Sequence, residues 1–114
     1  MPDERSNPPL AAIRRQVLDA LRTIELLARG TMLKRTKVCG KKGCRCAQDP
    51  AARHGPYYEW GRMQKDRLVH TMVSRAEARL IVEGIRNYRR IQRLLRTWER
   101  ETAKMILEEK RHNR

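Results

Sequence analysis

The chain contains no phenylalanine, and only two tryptophans and three tyrosines are spread over its 114 residues. That scarcity excludes a large aromatic core. The apolar residues that remain are mostly Leu, Ile, Ala, Val and Met, which suit helices better than a broad sheet. Nothing approaches the run of about 20 apolar residues that a membrane span needs. The opening MPDERSNPP is polar and lacks the apolar stretch of a secretory signal. Cysteine is odd in number, at three. Without a secretory signal, that count argues against a disulfide framework and for reduced thiols in a cytoplasmic protein. Also missing are a Ser/His/Asp set, a phosphate-binding loop and paired carboxylates, so a catalytic function is not expected.

Acidic residues are scarce as well. Lys and Arg number 27 against 13 Asp and Glu, a formal charge of +14. Charge of this size says nothing about fold, but it does select company, namely DNA, RNA or another polyanion. The excess is locally one-sided. Arg29, Lys34, Arg35, Lys37, Lys41, Lys42 and Arg45 follow one another with no acid among them. A solvated face ordinarily mixes its signs, so this run points to an anionic ligand.

Taken in order, Met1 to Asn7 reads as a flexible tail that ends in a helix cap. Pro8 and Pro9 fall in the first turn, where a missing N–H costs nothing. Leu10, Ile13, Val17, Ala20, Leu21, Ile24 and Leu27 keep a 3-4 spacing, which predicts a helix over 8–29 stopped by Gly30. Residues 30–58 form a basic strand and a Cys/His segment. Residues 57–73 read as a β-hairpin across Gln64-Lys65-Asp66, with Tyr58, Trp60 and Arg62 on one strand face. Ser74-Arg75-Ala76-Glu77 is a capping box. It opens a helix over 75–110 whose seam runs through Ile81, Gly84, Tyr88, Ile91, Leu95, Trp98, Thr102 and Met105. No proline follows Pro56 to interrupt it. So long a helix in so short a chain calls for a partner, either a second copy or another protein. Its outer face carries Arg86, Arg89, Arg90, Arg93, Arg96 and Arg100. The expected fold class is α+β, mainly helical, in a single domain over 8–110.

All three cysteines fall between Val38 and Tyr58. Cys39, Cys44, Cys46 and His54 make the pattern C-x4-C-x-C-x7-H. Three thiolates and an imidazole are the donor set of a closed tetrahedral zinc site, and Gly40 and Gly43 would let the backbone fold around it. Two other readings stay open: three inert buried thiols, and a redox pair of Cys44 and Cys46. A catalytic zinc would need an open position and a general base, for which only Asp49 and Glu59 are near in sequence.

The segments CGKKGCRC, Cys39 to Cys46, and HGPYY, His54 to Tyr58, together with NYRR, Asn87 to Arg90, carry a resemblance. They resemble a family of small uncharacterised bacterial proteins with a CGKxGCxC…HGPY segment. Members are often encoded near transposases and other mobile elements, which implies a nucleic-acid setting. Many relatives have glycines in the hairpin turn where this chain has Gln64-Lys65-Asp66. The order of hairpin and capped helix is similar to small DNA-binding modules of tyrosine recombinases, a likeness of fold alone.

The sequence therefore leads us to expect a nucleic-acid-binding protein with a structural zinc knuckle, DNA being favoured over RNA. Phosphate and groove contacts would come from Lys34, Arg35, Lys37, Lys41, Lys42, Arg45, Arg53, Arg62, Lys65 and Arg67, with Tyr58 or Trp60 packing or stacking. The competing expectation is a scaffold protein that works through its long helix.

Overall fold

The computed structural model describes residues 7–112, so apart from Asn7 the expected tail lies outside the described residues. In chain order the elements are α1 (Pro8–Thr23), β1 (Thr31–Lys37), β2 (His54–Gln64), β3 (Arg67–Val73) and α2 (Arg75–His112). This is an α+β layout: an N-terminal helix, a three-stranded antiparallel sheet in the order β1-β2-β3, and a long C-terminal helix. By its internal contacts the chain divides into two compact units. One joins Met1–Glu25 to Arg86–Arg114, and the other is Leu26–Ile85.

The helical unit is built on an apolar helix face. Asn7 caps α1, its Oδ1 accepting from the amide of Leu10 at 3.2 Å. Ile13, Val17 and Ala20, four and three apart, are the buried side chains of α1. The expected face was wider, but Leu21 and Leu27 are more than half exposed. The helix was also expected to reach Arg29, and it ends at Thr23. The Thr23 hydroxyl donates to the Ala20 carbonyl at 3.1 Å and closes the last turn, and Ile24 is already extended. A β-branched pair followed by a strand-like backbone is a stop that needs no glycine.

Gly30 serves the sheet instead. Its φ is +113°, and a Cβ there would lie 2.1 Å from the Gly61 carbonyl oxygen. The residue lets the chain enter β1 hard against β2. Nearby, the Trp60 indole N–H donates to the Arg29 carbonyl at 2.8 Å. Ala28 meets Gly84 of α2 so closely that a Cβ at Gly84 would stand 2.9 Å from the Ala28 methyl carbon.

Register fixes two sheet faces. Met32↔Trp60, Lys34↔Tyr58, Trp60↔Thr71 and Arg62↔Val69 put Met32, Tyr58, Trp60, Arg62, Val69 and Val73 on one face, all half-buried. The other face bears Leu33, Tyr57, Glu59, Met63, Leu68, His70 and Met72. Apart from half-buried Glu59, these side chains are exposed. The hairpin closes through Lys65 and Asp66 alone, at φ 49° and 64°. This is the doubly left-handed conformation of a type I′ turn, reached without the usual Asn-Gly or Asp-Gly. The Ser74–Glu77 capping box forms in both directions, at 2.9 and 3.1 Å.

Candidate metal centre

The ends of β1 and β2 bring the two ends of the cysteine segment together. Lys37 pairs with His54 across the ladder, so Cys39, two residues past Lys37, emerges beside the imidazole. A bulge between Arg35 and Lys37 adjusts the strand end, and Gly55 accommodates it. A Cβ on Gly55 would sit 2.9 Å from the Arg35 carbonyl. The intervening loop is folded by short local bonds. The Cys44 amide donates to the Lys41 carbonyl at 3.2 Å, with Gly40 and Gly43 at φ +74° and +83° on either side. Two short 3-10 turns follow, Arg45–Ala47 and Pro50–Ala52. The second is capped by Asp49, whose Oδ1 accepts from the Ala51 amide at 3.0 Å.

Within this frame the ligand atoms of Cys39, Cys44, Cys46 and His54 all lie within 4.8 Å of one another. The sulfurs of Cys39 and Cys46 are 3.5 Å apart. Cys44 Sγ is 3.4 Å from His54 Nε2. The Cys39 amide donates to Cys46 Sγ at 3.3 Å, the kind of support that a thiolate needs from the backbone. Cys46 is buried, Cys44 is half-buried, and Cys39 and His54 are exposed, so three inert core thiols are not what the fold presents. The backbone amide of Cys46 first, then His54 and the other two thiols, hold the Cys44 thiol down at about 6. At Cys46 the Cys39 amide pulls the same way, but burial and the neighbouring thiols outweigh it and raise the value. Three sulfurs and an imidazole nitrogen converging in this way could hold a metal ion.

The expected nucleic-acid residues do not form one patch. Lys41, Lys42 and Arg53 are exposed around the loop, where Lys37 also lies, 5.4 Å over the Tyr57 ring. Arg45 is engaged by Asp49 at 3.3 Å and Arg35 by Glu59 at 3.5 Å. Lys34 is exposed on β1 opposite Tyr58. Lys65 and Arg67 stand at the hairpin end of β2, about 30 Å of strand from His54. The face carrying Tyr58, Trp60 and Arg62 holds them half-buried, with Arg62 stacked 4.1 Å over the Trp60 ring and donating to Thr71 Oγ1 at 2.9 Å. Neither carboxylate near the cluster is free. Asp49 serves its cap and Arg45, while Glu59 lies between Arg35 and His70, the latter at 3.2 Å. The Arg35–Glu59–His70 line was missed in the sequence. Only the β1-β2-β3 register gathers those three residues on one face.

A model of the domain family described as "Domain of unknown function (DUF6788)" matches residues 8–82. The chain belongs to that family. The match runs from the start of α1 through the metal cluster and the sheet into the first turns of α2. No curated protein matches the chain. No solved structure matches it either. No helix among the described residues is long and apolar enough to cross a membrane.

Proposed function

We propose that the protein is a nucleic-acid-binding accessory or regulatory factor, acting on DNA, whose basic loop is held in shape by a structural zinc ion. The observation that carries this reading is the Cys39, Cys44, Cys46 and His54 cluster set beside the exposed Lys41, Lys42 and Arg53. Zinc fits the donors. A tetrahedral ion with bonds of about 2.3 Å to sulfur and about 2.0 Å to nitrogen sets sulfurs about 3.8 Å apart, and sulfur about 3.5 Å from nitrogen. One sulfur–sulfur and one sulfur–nitrogen separation here are 3.5 and 3.4 Å, and none of the six exceeds 4.8 Å. A bound zinc would cross-link the loop and supply no reactive position, since all four donors come from the chain. The engagement of Asp49 and Glu59 elsewhere supports a binding role over a catalytic one.

Leu26–Ile85 carries thirteen Lys and Arg against five acids. Lys41 and Lys42 stand at the exposed turn between Cys39 and Cys44, where a clasped loop would hold them toward phosphates. The mobile-element setting implied by the family resemblance agrees with a DNA partner. The test is fluorescence anisotropy on a labelled duplex across a salt series. Binding falls steeply with salt, and Lys41→Glu with Lys42→Glu weakens it for every sequence alike. Binding that ignores both salt and these changes would sink the proposal.

A second reading has its own observation. Leu95, Trp98, Thr102, Ala103 and Ile106 line an open apolar cleft along α2, and Leu95 and Ile106 are well exposed. This supports a helix-mediated contact with a second copy or another protein. Light scattering on nuclease-treated protein separates the two: a clean dimer or heteromer without nucleic acid favours this reading.

A further inference from the structure

We infer that the outer face of α2 from Arg86 to Arg100 is a major-groove surface for B-form duplex DNA. The inference rests on the nucleic-acid reading above, and it adds the element and the groove.

Between Glu83 and Glu99 the helix carries Arg86, Arg89, Arg90, Arg93 and Arg96 and no acid. All five are exposed, as is Arg100 just beyond. Among the described residues none of the five has an ion-pair partner, whereas Arg22, Arg35 and Arg45 each have one. At 3.6 residues per turn the six arginines fall within an arc of roughly 120°, over about 21 Å of helix axis. Arg86 and Arg90 bound one edge of the arc and Arg89 and Arg96 the other, with Arg93 and Arg100 between. The opposite side of the helix holds Tyr88, Ile91, Leu95 and Trp98.

A helix about 10–12 Å across enters the B-DNA major groove, which is about 12 Å wide, with its two edges toward the two phosphate walls. Two edge rows of arginine fit those walls, and a central row reaches the floor. There arginine pairs with guanine O6 and N7. A-form RNA offers no such site, because its major groove is deep and too narrow for a helix. With acids cleared from fifteen successive residues, Gly84 to Trp98, and arginine confined to one arc, the positive potential is concentrated on a single groove-sized face.

The test compares wild type with the triple variant Arg86→Gln, Arg90→Gln, Arg93→Gln. Each binds a 30-base-pair DNA duplex and the RNA duplex of the same sequence, with dimethyl sulfate protection read at guanine N7. A second variant, Arg89→Gln with Arg96→Gln, guards against an accidental folding defect, and circular dichroism checks both. We expect wild type to prefer DNA and to protect N7. The triple variant loses protection, its affinity falls on the order of 100-fold, and its log–log salt slope drops by about 2, about one for each of the two lost wall contacts, Arg86 and Arg90. A folded triple variant with wild-type affinity and slope, while Lys41→Glu with Lys42→Glu still weakens binding, overturns the groove surface and leaves the nucleic-acid reading standing. RNA bound as tightly as DNA overturns the groove surface and the choice of DNA, and leaves nucleic-acid binding itself standing. Wild type that binds neither duplex overturns both.

Discussion

The helical unit and the cysteine loop are ordered by different means. In α1 the buried residues Ile13, Val17 and Ala20 recur on one face of a regular helix. Each turn adds backbone bonds and apolar burial together. Over residues 38–53 only Cys46 is buried. Fixing each backbone residue costs on the order of 1 kcal/mol, and the short turns around Arg45 and Pro50 return only a few bonds of similar size. Packing cannot hold that loop, whereas a structural zinc worth on the order of 10 kcal/mol can. On the zinc reading, the contrast gives three thiols and an imidazole a reason to meet at one point of the fold.

The strongest way to break the contrast is to remove a ligand without disturbing packing. Cys44→Ser is nearly isosteric at a half-buried position, so lost burial cannot account for a large effect. On the zinc reading, wild type purified without a metal-affinity column carries about one zinc per chain. The variant carries none and is destabilised by several kcal/mol. Its remaining thiols react freely with a thiol reagent, and the helical circular-dichroism signal is less affected than they are. A metal-free wild type with protected thiols and an unchanged melt would show that the loop is held by something else.

The converse experiment is Ile13→Ala. It removes three methyl-sized groups from a buried helix position and should cost about 3 kcal/mol in chemical denaturation. Zinc content and thiol protection should stay at wild-type levels. If Ile13→Ala releases zinc in the folded protein, the two regions are not ordered independently and the contrast weakens.

The fold was legible wherever one residue type has one physical use. The Asn7 cap, the Ser74–Glu77 box and the 3-4 spacing of Ile13, Val17 and Ala20 all stand as read. The cluster was legible because thiols and imidazole within sixteen residues have few other reasons to meet. What failed depended on distant partners. Gly30 looked like a helix stop, but its left-handed φ serves the approach to Gly61, a residue far along the chain. For Trp60 and Arg62, strand alternation gives two faces without saying which is covered. The Arg29 carbonyl, bound by the Trp60 indole, decides that. The I′ turn at Lys65-Asp66 was hidden for another reason. Neither residue is the glycine or asparagine that normally advertises a positive φ.

The smallest expected effect lies at the Ser74–Glu77 box, a polar device that gathers no metal. Its two bonds are exposed to solvent. The Ser74 amide, and after it the Ser74 hydroxyl, hold the Glu77 carboxyl below its ordinary value near 4.5. A carboxylate favoured in the folded state stabilises it above the unfolded value, and that contribution fades as pH falls through the lower folded one. Ser74→Ala should therefore cost about 1 kcal/mol near neutral pH, the usual loss for a helix cap. Because the variant keeps the backbone amide that Glu77 accepts from, only the smaller, hydroxyl-linked share of the pH dependence is lost, and the gap should narrow only slightly as denaturation is followed downward from pH 5. The zinc-linked loss in Cys44→Ser follows another course, because acid also expels the metal from wild type by protonating its ligands. Two pH profiles of the same shape would mean that the loop and the cap are stabilised by the same ordinary polar chemistry, with no metal to separate them.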